Sequence, residues 1–163
     1  MAKKKEELKT NVVRLLEAAG IPHRAYLLPL DKDQVPDGIT AAALMGQPVE
    51  KVFKTLVAEG PKGEHFVFVI RVAETLDLKK AAREASQKSL AMIHVKEINQ
   101  VTGYIRGGCT AIGMKKAYPV FIEETARSQE RIIVSGGKLG TQIELAPDDL
   151  QKACQGIFCS FCI

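Results

Sequence analysis

Glu50-Lys51-Val52-Phe53-Lys54-Thr55-Leu56-Val57-Ala58 and His65-Phe66-Val67-Phe68-Val69-Ile70-Arg71-Val72 are two apolar runs of strand length, separated by the turn-forming quartet Gly60-Pro61-Lys62-Gly63. β-Branched and aromatic residues on both sides of a Gly/Pro turn predict a hairpin. Phe66 to Ile70 is apolar without alternation, the pattern of a strand buried on both faces, and it is far shorter than the ~20 residues of a membrane helix. Lys54 falls where the turn begun by Pro48 becomes the first strand, among Val52, Phe53, Leu56 and Val57. Lysines so placed commonly run their stems along apolar surface and keep the ammonium in water. A cation held in a pocket is the other reading, and the hairpin alone leaves both open.

Downstream, Thr75 to Ala85 reads as a helix capped by Thr75 or Asp77, and Val95 to Thr102 as another closed by Gly103. Thr102-Gly103-Tyr104-Ile105-Arg106-Gly107-Gly108-Cys109-Thr110-Ala111-Ile112-Gly113-Met114-Lys115-Lys116 follows. Glycines serve where the chain takes positive φ or meets a ligand closely, so Gly107 and Gly108 can offer two backbone N–H groups to an oxyanion. An ordinary glycine-rich turn would look the same. Pro119 to Ile122 predicts a strand, Arg131–Ser135 and Thr141–Leu145 a second hairpin across Gly136 to Gly140, and Pro147 to Ala153 a short helix.

Upstream, residues 4 to 19 set Leu8, Val12, Leu15, Leu16 and Ala19 on one helical face, ended by Gly20 and Pro22. His23 to Leu28 predicts a short strand, Asp31 to Gly38 a polar loop that flanks a site, and Ile39 to Met45 a helix closed by Gly46. Helices interleaved with hairpins predict a mixed-sheet α/β or α+β domain, and 163 residues, 46% of them hydrophobic, suit a single domain over 1–163. The opening Met1-Ala2-Lys3-Lys4-Lys5-Glu6-Glu7 has no apolar stretch behind its lysines, which predicts a cytoplasmic protein without a membrane anchor. A net charge of +4 is compatible with a polyanionic partner, although Lys3 to Lys5 supply part of it.

Cys154, Cys159 and Cys162 form C-x4-C-x2-C, a spacing also used by iron–sulfur sites that take a fourth thiolate from elsewhere. Cys109 precedes the trio instead of following it, and Ile157, Phe158, Phe161 and Ile163 surround the trio, so the expectation is a docked tail of reduced thiols with no metal or cofactor. His23, His65 and His94 match no zinc-protease spacing, and neither a G-x-S-x-G elbow nor a Walker loop is present. A lysine, a glycine pair and a second glycine turn beginning at Ser135 suit an acyl or phosphoryl substrate.

Phe53-Lys54-Thr55-Leu56, Leu76-Asp77-Leu78-Lys79-Lys80, Thr102-Gly103-Tyr104 through Lys116, and Val134-Ser135-Gly136-Gly137-Lys138 resemble, in order and spacing, the YbaK/EbsC family over about residues 8 to 155. That family is related to the editing domain inserted in bacterial prolyl-tRNA synthetases. The resemblance implies a mixed sheet closing into a barrel with outer helices, and an activity that deacylates aminoacyl-tRNA. The substrate it implies is Cys-tRNA(Pro), with Cys-tRNA(Cys) beside it, cleaved with help from the substrate's own thiol. Deacylation of Ala- or Ser-tRNA, and a non-catalytic regulatory role as in the EbsC branch, are the alternatives. Carried over, Lys54 matches the essential pocket lysine, with Thr55 beside it. Gly107 and Gly108 match the wall around the acyl group, and Ser135 with Gly136 the opposite rim. Two positions depart from the pattern: Leu28 stands where a tyrosine is frequent, with Tyr26 on the same strand face, and Gln142 where an aspartate is frequent. The partners implied are tRNA(Pro), prolyl-tRNA synthetase and a second copy of the chain.

Overall fold

The computed structural model describes residues 9–29 and 36–163; the lysine cluster, Leu8 and most of the Asp31 to Gly38 loop lie outside the described residues. The first hairpin forms as the sequence predicts. β2 (Phe53–Glu59) pairs antiparallel with β3 (His65–Arg71), setting Lys54 opposite Ile70 and Thr55 opposite Val69. Side-chain alternation then divides the strand. Phe53 and Val57 enter one core with Val67 and Val69, while Leu56 and Ala58 enter another with Phe66, Phe68 and Ile70. Both faces of β3 are covered, which is why its sequence does not alternate.

β3 is extended on its other side by parallel β5 (Val120–Glu123), and β5 by parallel β8 (Ile157–Cys159); β4 (Ala91–Met92) adds a short antiparallel edge to β2. The second hairpin, β6 (Ile132–Ser135) with β7 (Thr141–Leu145), takes β1 (Arg24–Leu27) as its third strand. The strands therefore make two sheets, in the orders β1-β7-β6 and β4-β2-β3-β5-β8.

The expected barrel does not form. Among the described residues the sheets touch edge to edge at one parallel bridge, Val52 to Ile133, and their remaining edges do not pair. Side chains rather than strand pairing join the sheets elsewhere: Val12 and Leu16 of α1 (Asn11–Ala18) and Leu150 of α5 (Pro147–Cys154) share one core with Val69 and Ile122 of one sheet and Ile132, Val134 and Ile143 of the other.

α2 (Gly38–Met45) covers the outer face of the small sheet, where Ala42 packs with Val52, Ile133 and Tyr26. Its run of small residues, Thr40-Ala41-Ala42-Ala43, lets the helix sit close to the strands. α3 (Leu78–Glu84), capped by Asp77 on the N–H groups of Lys79 and Lys80, covers the outer face of the large sheet. The segment predicted as a helix from Val95 is a 3₁₀ turn, Val95–Glu97, followed by α4 (Ile98–Thr102). β4 and β8, too short or too near the chain end to show a pattern, are additions to the predicted strands.

Candidate functional site

The sheet-to-sheet seam is in register with the residues singled out in the sequence. Ile133 pairs with Glu144, which pairs with Arg24; two residues along, Ser135 pairs with Gln142, which pairs with Tyr26. The parallel bridge puts Val52 at the end of the first row, and Lys54 follows Val52 by two residues as Ser135 follows Ile133. Ser135, Gln142 and Tyr26 occupy the second row of the small sheet, at the same end of the seam as Lys54. Beyond Val52 the sheets part, and the gap is a cavity of about 160 Å³ under α2.

Lys54, Thr55, Gly107, Ser135 and Gln142 all line this cavity, with Phe53, Val72, Cys109, Leu139 and Gly140. Tyr26, Gly108 and Gly136 do not, and each has another contact. Tyr26 Oη donates to Glu144 Oε1 at 3.4 Å and accepts from Gln47 Nε2 at 3.2 Å. The Gly136 N–H donates to the Thr141 carbonyl at 2.8 Å within the β6–β7 turn.

The glycine pair divides its work. Gly107 has φ +84° in a turn closed by the Gly108 N–H donating to the Ile105 carbonyl at 2.9 Å, a position that suits glycine. The Gly108 amide is therefore engaged, and of the pair Gly107 alone borders the cavity. A Cβ at Gly108 would lie 3.3 Å from the backbone of Lys138 and Leu139, so its missing side chain lets the loop press on the β6–β7 turn. Tyr104 holds the loop from below, its hydroxyl donating to the carbonyls of Ile112 and Gly113. Burial pushes that phenol up to about 12, with the Cys109 thiol adding to the shift.

Lys54 is half-buried, and its Nζ donates to the Val72 carbonyl at 3.3 Å, which aims the ammonium across the cavity mouth. Among the described residues it is the one cation in the lining, which contains no carboxylate and no histidine. Ser135 Oγ accepts from the Gly137 N–H at 3.3 Å, leaving its own proton to donate. Cys109 is the remaining candidate for acid–base work, but burial raises its thiol to about 11 against a smaller opposing effect of a Thr102 hydrogen bond. It stays protonated at neutral pH. Such a cavity can hold a small acyl group and an anionic neighbour, and its described lining contains no carboxylate or imidazole to act as a base.

A larger groove of about 790 Å³ lies at the far end of β2, between Glu59, His65, Glu97, Lys115 and Tyr118. None of the sequence-selected residues enters it. The C-terminal segment joins the large sheet through β8 and buries Phe161; all four cysteines are free, and among the described residues no group of three His, Cys, Asp or Glu is placed to hold a metal. Pro36 and Gly38, from the loop expected to flank a site, line the cavity, while the lining residues that sequence reasoning missed are mostly apolar or small, such as Ala41, Val72 and Leu139. The small-residue run of α2 was the available signal for Ala41.

Residues 33–153 match the model of the aminoacyl-tRNA editing domain. The chain is 42% identical over 158 residues, 97% of its own length and 96% of the relative's, to a protein of Enterococcus faecalis (strain ATCC 700802 / V583) assigned as the Cys-tRNA(Pro)/Cys-tRNA(Cys) deacylase EbsC. Among solved structures it is similar to one assigned as a trans-editing enzyme for prolyl-tRNA synthetase, with a TM-score of 0.81 and 22% identity, covering 95% of this chain and 99% of that one. A scaffold protein used for computational epitope grafting matches with the same TM-score, 0.81, at 22% identity, again over 95% and 99% of the two chains. At that identity the structures speak for the fold.

Proposed function

This chain belongs to the aminoacyl-tRNA editing-domain family, and from that membership we propose that it is a free-standing deacylase that removes cysteine from tRNA(Pro), and also from tRNA(Cys). The observation that carries the reading is the convergence of Lys54, Thr55, Gly107, Ser135 and Gln142 on one cavity of about 160 Å³. Pockets that enclose whole drug-sized ligands begin near about 300 Å³. This one suits the aminoacyl group alone, with the terminal nucleotide outside at the mouth, where the Lys54 ammonium meets ester or phosphate oxygens.

The absence of a base in the described lining favours a substrate that supplies its own nucleophile. The cysteinyl thiol attacks its ester carbonyl: the S–C bond forms, the C–O bond to the ribose breaks, and the thiol proton ends on the ribose oxygen. Held intramolecular attack is worth an effective molarity of about 10⁵ M or more. The protein then needs to orient the acyl group and stabilise its developing oxyanion, with Lys54, the Ser135 hydroxyl and the Gly107 amide as donors. A synthetase cannot strongly reject an amino acid of similar size, since small differences are worth about 1–3 kcal/mol, and a second hydrolytic site repairs the error.

The source of the ester on tRNA(Pro) is prolyl-tRNA synthetase, in whose company the enzyme acts, in the cytoplasm and as a homodimer. Co-purification with the synthetase and light scattering test those two associations. The activity is tested by deacylation of Cys-, Ser-, Ala- and Pro-tRNA(Pro). The expected result is rapid loss of cysteine and far slower loss of serine, whose hydroxyl is much less acidic. Equal rates for Cys and Ser would exclude cleavage by the substrate thiol.

A further inference from the structure

The cavity is built from two sheets whose backbones are joined by one bridge, so its width depends on what else holds the seam. One row behind the cavity, Lys51 Nζ donates to Glu144 Oε2 at 2.8 Å across the seam, from the turn that feeds β2 to the middle of β7. Glu144 is 5% exposed, and its second carboxylate oxygen accepts from Tyr26 Oη, itself bonded by Gln47 at the end of α2. Arg24, directly across β1–β7 from Glu144, is exposed and lies over the Tyr26 ring. Neither Lys51 nor Glu144 lines the cavity. Yet Glu144 is two residues from Gln142 on the same face of β7, and Lys51 is three before Lys54.

We propose that Lys51 and Glu144 are positioning residues for the deacylation site: their ion pair, its carboxylate buried and its ammonium partly exposed, fixes the distance across the seam, and so the placement of Lys54 relative to Ser135 and Gln142. The inference rests on the function proposed above. A buried carboxylate left without its cation is poorly tolerated, so the pair has one favoured geometry. Misplacing a reacting group by about 1 Å costs about 100-fold. The Tyr26 and Gln47 links carry the same constraint to α2, the roof of the cavity.

The test is a double-mutant cycle with Lys51→Met and Glu144→Gln, and with Lys51→Arg as the conservative variant. Deacylation of Cys-tRNA(Pro) is measured beside hydrogen exchange at residues 52–55 and 132–135. Each single variant is expected to stay folded and to lose about 10- to 100-fold in kcat with little change in KM, because neither residue lines the cavity. Lys51→Arg should keep most of the rate. The double variant should lose no more than Lys51→Met alone, since it leaves no unpaired charge. Exchange should rise at the seam in both single variants and stay unchanged in β3. Full kcat in the single variants, additive losses in the double variant, or seam exchange that does not move would each overturn the inference while leaving the deacylase reading intact. A wild-type protein inactive on every ester would overturn the function itself. A single variant that fails to fold is replaced by Lys51→Arg, whose retained rate and seam exchange support the inference, and by the double variant, whose raised seam exchange and lowered kcat support it and whose wild-type exchange and rate would overturn it.

Discussion

Lys54→Ala should lower kcat/KM for Cys-tRNA(Pro) by at least about 100-fold with little change in melting temperature, because the side chain is half-buried and holds no other element in place. Lys54→Arg should also fail, since a planar fork cannot replace a compact ammonium in so narrow a gap. Kinetics beside thermal melts check both, and near-normal turnover by a well-folded Lys54→Ala protein would remove the centre of the functional reading. Cys109 is the opposite case. With its thiol held up at about 11 by burial, Cys109→Ala should stay within about tenfold of the wild-type rate on Cys-tRNA(Pro). Alkylation by iodoacetamide at this position should be slow at pH 8 and accelerate only as the pH nears 11. These two residues were legible to different degrees. Lys54 stands out only when Phe53-Lys54-Thr55-Leu56 is read with the distant glycine motifs, because a lysine beside a strand is otherwise unremarkable. That the Gly108 amide is taken by Ile105 depends on loop geometry, which no residue pattern specifies.

At the scale of elements, the loop carrying Gly107 and Gly108 works by leaning on the β6–β7 turn. Gly108→Val would drive a side chain into the backbone of Lys138 and Leu139, so the loop must lift, and activity should fall much further than stability. Paired melts and rate measurements distinguish that outcome from general destabilisation. β8 makes the reverse prediction. Phe161, just beyond it, is fully buried and meets Phe68 edge-on at 5.1 Å, so Phe161→Ala should cost about 3–5 kcal/mol in urea denaturation. The triple Ser variant of Cys154, Cys159 and Cys162 should stay folded and active, a serine hydroxyl replacing the Cys162 thiol that donates to Glu123. The two hairpins were plain in the sequence because turn chemistry and strand composition agree within a few residues. β8 was not, since three residues pairing in parallel with β5 carry no periodic signal, and the cysteines around them drew attention to metal chemistry.

The whole molecule should be sensitive to alkali. Burial is the first cause raising all four thiols from an ordinary 9.0, to about 11 for Cys109 and Cys154 and about 12 for Cys159 and Cys162. Between those values the unfolded chain gives up protons that the folded chain keeps. The stabilising effect is whole below pH 9 and declines as the pH rises through 11 and 12. Urea midpoints at pH 8 and pH 10.5 should show the fall, and replacing the four cysteines by serine should flatten it. The mixed α+β class followed from the order of hairpins and helices, whereas the division into two sheets did not. It goes with a core in which Val12, Leu16 and Leu150 join strand residues far from them in sequence. That division also sets an order of events in time. Each hairpin closes over a few residues, but the seam joins residue 52 to residue 133, a contact that forms slowly because so much chain must be gathered first. A freshly made molecule acquires its helices and hairpins before it has anywhere to put a substrate. In refolding from urea, circular dichroism should therefore recover ahead of deacylation, and molecules caught between the two stages would look native to a spectrometer while letting every mischarged tRNA pass.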